Sequence, residues 1–116
     1  DLDVWVSSSQ QNAARLFRAL ASFGAPLQDD EITVETFTQE GIVYQIGVAP
    51  VRIDILTQIA GVEFGGAWRN QVASAVFGVP VHFISLEDLI ANKQAAGRGA
   101  DFEDLKRIRQ AKEDAD

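Results

Sequence analysis

Three carboxylates at strand spacing are the chemically informative residues of this sequence. Asp1-Leu2-Asp3-Val4-Trp5-Val6 alternates along a β-strand, so Leu2, Val4 and Val6 share one face while Asp1 and Asp3 share the other with Trp5. Two like charges about 6–7 Å apart on one strand face repel each other unless a cation lies between them or water screens them. A second strand, Val51-Arg52-Ile53-Asp54-Ile55-Leu56, carries a third acid. There Val51, Ile53 and Ile55 face one way, and Arg52, Asp54 and Leu56 the other. If the two strands lie side by side, Asp1, Asp3 and Asp54 converge, which outlines a divalent-metal site. Arg52 shares the Asp54 face, so an ion pair is its plain use and a phosphate contact its sharper one.

One further charged residue stands out. Lys93 follows Leu89 by four and Leu86 by seven positions, which places it on a helical stripe that should be buried. A lysine there must snorkel outward, pair with a carboxylate or meet a ligand's phosphate. Asp101 and Asp104 lie within reach on the next helix; read alone, they would be an N-cap and a solvated first-turn acid.

Composition limits what these residues can do. The chain has 116 residues, 47% of them hydrophobic, which is enough for one small domain with a real core. It has no cysteine, which excludes disulfides and thiolate zinc sites, and its single histidine, His82, disfavours a histidine-based metal site or a catalytic triad. His82 alternates between Val81 and Phe83 and reads as structural. No apolar run approaches the roughly 20 residues of a membrane span and no leader is evident, so a cytoplasmic location without membrane contact is expected. The net charge of −7 argues against general nucleic-acid binding. It leaves room for a nucleotide, because bound Mg²⁺ would invert the sign of an acidic site. There is no methionine and Asp1 falls in mid-strand, so the sequence reads as a fragment.

The elements that must position these residues can be read in order. Ser8 with Gln11 fits a capping box, and Ala13, Leu16, Phe17 and Leu20 form an amphipathic stripe that Gly24 and Pro26 terminate. This helix should pack on the sheet face opposite the carboxylates. Residues 27–39 are weakly patterned, with Val34 and Phe37 in a candidate helical turn. Gly41 to Gly47 and Val51 to Thr57 are β-rich runs joined by the short connector Val48-Ala49-Pro50, which favours an antiparallel hairpin, with Tyr44 as ordinary strand packing. Gly61 to Gly66 reads as a loop or single turn, followed by Trp68, expected to cover a sheet edge. Residues 73–77 and 79–84 form two more short strands around Gly78, with Pro80 at a strand start or edge. Ser85 caps a helix with Glu87 and Asp88 in its first turn, Gly97-Arg98-Gly99 breaks it, and a last helix begins near Asp101. That helix carries Leu105 and Ile108, with a charged, fraying tail from Lys112. The expectation is a single α+β domain over residues 1–116, with a mixed or antiparallel sheet and helices mainly on one face.

The motif Asp1-Leu2-Asp3-Val4, followed by a helix and then Arg52-Ile53-Asp54-Ile55-Leu56, resembles the nucleotidyltransferase superfamily of the DNA polymerase β type. The tail from Lys93 through Arg98 to Asp101 and Asp104 is similar to that of small bacterial nucleotidyltransferase-like proteins, some related to toxin–antitoxin enzymes. The resemblance implies that Asp1 and Asp3 are ligands of Mg²⁺ (or Mn²⁺). Asp54 would be the third carboxylate and possible base, and Lys93 or Arg98 would contact phosphate. It implies transfer of a nucleoside monophosphate from a nucleoside triphosphate to a hydroxyl acceptor. A degenerate relative serving as an antitoxin-like binding partner, or a purely structural domain with solvated acids, are the alternatives.

That family also carries a Gly-Gly or Gly-Ser element before the Asp-x-Asp strand, which holds the triphosphate on backbone N–H groups. Here it would fall before Asp1, together with a first strand and helix, so weak nucleotide binding is expected of these residues. An unpaired sheet edge and bare apolar surface favour self-association. A homodimer is therefore expected, and light scattering at micromolar concentration that returned a clean monomer would contradict it.

Overall fold

The computed structural model describes residues 1–115, which form two compact units, residues 1–59 and the described residues from 60 onward. The chain is α+β, with one mixed sheet in the first unit and one antiparallel hairpin in the second. Among the described residues, no helix is long and apolar enough to cross a membrane.

In the first unit, strand β1 (Leu2–Trp5) leads into helix α1 (Gln10–Phe23). A 3₁₀ turn (Val34–Thr38) follows, then strands β2 (Val43–Val48) and β3 (Val51–Leu56). The sheet order is β1-β3-β2, with β3 central, parallel to β1 and antiparallel to β2. Parallel neighbours need a long crossover, and α1 with the turn after it supplies one.

The helix starts one residue later than the Ser8–Gln11 box implies. Ser9 is the N-cap, its Oγ accepting from the Asn12 amide at 3.2 Å, while Asn12 Nδ2 donates to the Ser7 carbonyl at 2.9 Å. Three serines in a row offer competing caps, and the one whose third residue can also reach back prevails. Gly24 ends the helix in the left-handed conformation (φ 97°), as the Gly-x-Pro signal predicts.

Ala13 and Leu20 of α1 join Val6, Leu27, Phe37, Tyr44 and Ile55 in one core, with Val4, Ile46 and Ile53 packed against it. All the sheet residues in that set belong to the face away from Asp3 and Asp54. Phe37 is the largest fully buried apolar side chain, and its ring tilts against Tyr44 at a centroid distance of 6.2 Å. Burying a phenylalanine contributes about 1.5–3 kcal/mol, so the weakly patterned segment 27–39 supplies a central part of the core. At the hairpin Gly47 has φ 89°, and a Cβ there would stand 2.5 Å from the Val51 carbonyl oxygen. Only glycine fits this position.

In the second unit, helix α2 (Phe64–Arg69) occupies the stretch that its two glycines mark as loop. The stacked rings of Phe64 and Trp68, one turn apart with centroids at 5.9 Å, accompany this short helix. Strands β4 (Val72–Val76) and β5 (Val79–Phe83) form the expected antiparallel hairpin, with Pro80 level with Ala75. Helix α3 (Leu86–Ala96) has Ser85 as N-cap, accepting from the Asp88 amide at 3.1 Å, and ends at Gly97. Gly61 lets the preceding loop approach α3, because a Cβ there would stand 2.5 Å from Ala95 Cβ. Helix α4 (Gly99–Ala115) begins two residues before Asp101 and remains helical past Lys112. Its charged end thus continues as helix, and Leu105 is buried.

Tyr44 ties the sheet to the loop after α1. Its hydroxyl donates to Asp30 Oδ2 at 2.7 Å. Burial, followed by the neighbouring carboxylate, pushes the phenol up to about 12 from an ordinary 10.0. The neutral phenol therefore stabilises the fold fully below pH 10, and that contribution is lost as pH rises through about 12. Urea unfolding between pH 8 and 12 should show this alkaline loss in the wild-type chain and a flatter profile in Tyr44→Phe.

Candidate active site

The β1–β3 register places the acids. Leu2 is level with Ile53, Asp3 with Asp54, and Val4 with Ile55. In a parallel pair, residues at one level point to the same face and their strands lie about 4.8 Å apart. Asp3 and Asp54 are thus neighbours on the face opposite the core. The triplets Asp1-Leu2-Asp3 and Arg52-Ile53-Asp54 have the same spacing, so the same register carries Asp1 toward Arg52.

Arg52 uses this position fully. Its Nε donates to Asp54 Oδ1 at 2.8 Å and its Nη2 to Asp54 Oδ2 at 3.2 Å. The same Nη2 lies 3.4 Å from Asp1 Oδ2. The guanidinium therefore bridges two of the three acids, while Asp3 is exposed beside them. Asp54 is the most enclosed of the three, with its side chain 12% exposed. It stands on the central strand between β1 and β2, where Gln45 is its partner across the antiparallel ladder. The plain reading of Arg52 as the partner of Asp54 holds. The contact with Asp1 is an addition to that reading, and it follows only once the register of β1 on β3 is set.

Lys93 and Arg98 belong to the second unit. Lys93 Nζ lies 2.8 Å from Asp104 Oδ2 and 3.4 Å from Asp101 Oδ1, so the half-buried lysine is answered by carboxylates on α4. Those contacts raise its pKa, the Asp104 hydrogen bond most of all. Arg98 Nε donates to Asp101 Oδ2 at 2.7 Å and its backbone N–H donates to the same oxygen at 3.1 Å. Asp101 is 1% exposed, yet hydrogen bonds from Arg98 hold its carboxyl down at about 2. Asp101 is thus more than an N-cap and Asp104 more than a solvated acid, since Asp101 pairs with Lys93 of α3 and with Arg98 of the connecting turn, and Asp104 pairs with Lys93. Trp68 packs on His82 at a ring distance of 4.7 Å, so the histidine is engaged by an aromatic of its own unit.

A family model described as nucleotidyl transferase of unknown function (DUF2204) matches residues 1–116. The chain belongs to this family. No curated protein and no solved structure was found to match it. The chain is accordingly nucleotidyltransferase-like, as the resemblance carried by the Asp-x-Asp strand and the later strand acid implies.

The fit of a divalent ion to such a domain can be tested on the donor set. Among the described residues, no group of three or more histidine, cysteine, aspartate or glutamate side chains is gathered so as to hold a metal. The acids of the first unit still suit a hard cation, because Asp1, Asp3 and Asp54 offer only carboxylate oxygens. Two of them already share a cationic group, the Arg52 guanidinium.

The Asp101 network gives a prediction for the second unit. A carboxyl held near 2 stabilises the fold above its ordinary value of 3.8, and that stabilisation is lost as pH falls through about 2. Thermal melts between pH 5 and 2 should show this acid limb in the wild-type chain. Asp101→Asn should remove it and lower the melting temperature at pH 7.

Proposed function

We propose that the chain is a divalent-metal-dependent nucleotidyl transferase domain in which Asp1, Asp3 and Asp54 hold Mg²⁺ or Mn²⁺. The observation that carries this reading is the placing of Asp3 beside Asp54 on adjacent parallel strands, on the sheet face opposite the core. Membership of a nucleotidyl transferase family supplies the reaction class. Like-charged side chains at one register level are destabilising in a purely structural sheet, and a bound cation gives the pair a use.

The reaction is an in-line displacement. The oxygen of an acceptor hydroxyl attacks the α-phosphorus of a nucleoside triphosphate, the bond from that phosphorus to the β-phosphate oxygen breaks, and pyrophosphate leaves. The hydroxyl proton passes to Asp54, whose Oδ2 has the longer of its two contacts with Arg52. When bound, divalent ions supply charge neutralisation at the phosphates and a more acidic hydroxyl. Asp1 and Asp3 would hold that charge at the exposed start of the chain and of β1, beside Asp54 on the central strand. Lys93 and Arg98, the phosphate contacts that the resemblance implies, both lie in the second unit and both pair with Asp101.

One observation favours a second reading, a non-catalytic relative that keeps the fold for binding a partner protein. Arg52 already pairs with both Asp1 and Asp54, so two of the three acids have a counter-charge without a metal. Manganese titration followed by electron paramagnetic resonance separates the two. The wild-type chain should bind Mn²⁺, and Asp3→Asn should weaken that binding by at least about tenfold, no less than loss of an outer-shell partner costs. Binding that survives the substitution unchanged would remove the carboxylate site from the account.

A further inference from the structure

The guanidinium of Arg52 stands where a cation shared by Asp1 and Asp54 would stand. Both oxygens of Asp54 are engaged by it, at 2.8 and 3.2 Å, and Asp1 Oδ2 lies 3.4 Å from the same Nη2 that serves Asp54. The pairing is partly sheltered, with the Arg52 side chain 30% exposed and that of Asp54 12%. On the other side of β3, the residue level with Arg52 is Gly47, which brings no side chain to compete for it.

We propose that Arg52 is a built-in competitor of the divalent ion, a positioning residue that must release Asp1 and Asp54 before a metal can take their oxygens. The inference rests on the metal-binding reading above. A fork of N–H donors on one carboxylate, with a second carboxylate on the same nitrogen, takes up the oxygens that face the shared space. Metal binds only the fraction of molecules in which the arginine has swung away, and its apparent dissociation constant is raised in proportion. Coupling of this kind is reciprocal, so bound metal frees Arg52 for an anionic ligand.

The experiment is Mn²⁺ titration by electron paramagnetic resonance, with melting curves of the metal-free chains, on the wild type, Arg52→Gln, Arg52→Lys and Arg18→Gln. Arg18 is exposed on α1, the helix that packs on the opposite sheet face, so it reports the effect of net charge alone. Arg52→Gln should bind Mn²⁺ about tenfold tighter than wild type, the change expected if the paired state predominates about tenfold. Its metal-free melting temperature should fall, because the two acids lose their counter-charge. Arg52→Lys, a point charge without the fork, should give an intermediate gain, about threefold, and serves if the glutamine variant does not fold. Arg18→Gln should leave the affinity unchanged.

Equal or weaker binding by both Arg52 variants, with the wild type still binding, overturns the competition while leaving the metal site standing. Equal tightening by Arg18→Gln also overturns it, as a net-charge effect. If no chain binds Mn²⁺, the metal reading fails and the competition fails with it.

Discussion

Repulsion among carboxylates on one sheet face is the constraint to which the first unit answers. Once β1 and β3 pair in parallel with Leu2 level with Ile53, Asp3 and Asp54 are neighbours, with Asp1 one step away along the same face. A protein can relieve such crowding by solvation, by protonation or by a counter-charge. This chain uses the first for Asp3, at the exposed rim, and the third for Asp54 and Asp1, through Arg52. Because the arginine is two residues from Asp54 on the same strand, the counter-charge is fixed by the register that creates the problem.

The other face shows why the acids can afford to be there. Helix α1 and the turn that carries Phe37 cover only one side of the three-stranded sheet. The main apolar core of this unit lies on that side. The helix pair of the second unit follows a different scheme. Its buried ionic group, Asp101, is held between Lys93 and Arg98, and Lys93 reaches on to Asp104. A buried carboxylate with one cation removed would be left uncompensated, which costs far more than the intact pair contributes. That cluster links α3, the turn after it and α4 through one carboxylate.

Much of this was legible in the sequence because strand period and helix capping are local. The β2–β3 hairpin, the strands on either side of Gly78 and the Ser85 cap all follow from spacing within a few dozen residues. So does the burial of α1 on the face away from the acids. The spacing of Lys93, by contrast, leaves a carboxylate partner as one of three uses. The failures have physical causes as well. Phe37 lies in a segment with no period, and its burial depends on Tyr44 arriving from a later strand. Residues 64–69 contain two glycines, which mask a short helix flanked by stacked aromatic rings. Among Ser7, Ser8 and Ser9, only the reach of the Asn12 side chain selects the cap. The contact of Arg52 with Asp1 needed the register of two strands some fifty residues apart, which no local pattern fixes.

The two tryptophans are distributed one to each unit. Trp5 lies on β1, on the same face as Asp1 and Asp3, and Trp68 lies on α2 against the His82 ring. Each half of the chain thus carries its own intrinsic fluorophore, one beside the acidic face and one beside an imidazole whose charged form quenches indole emission. Replacing either with phenylalanine leaves a single optical reporter for the other half. The chain comes already labelled for asking whether its two halves melt together or in turn.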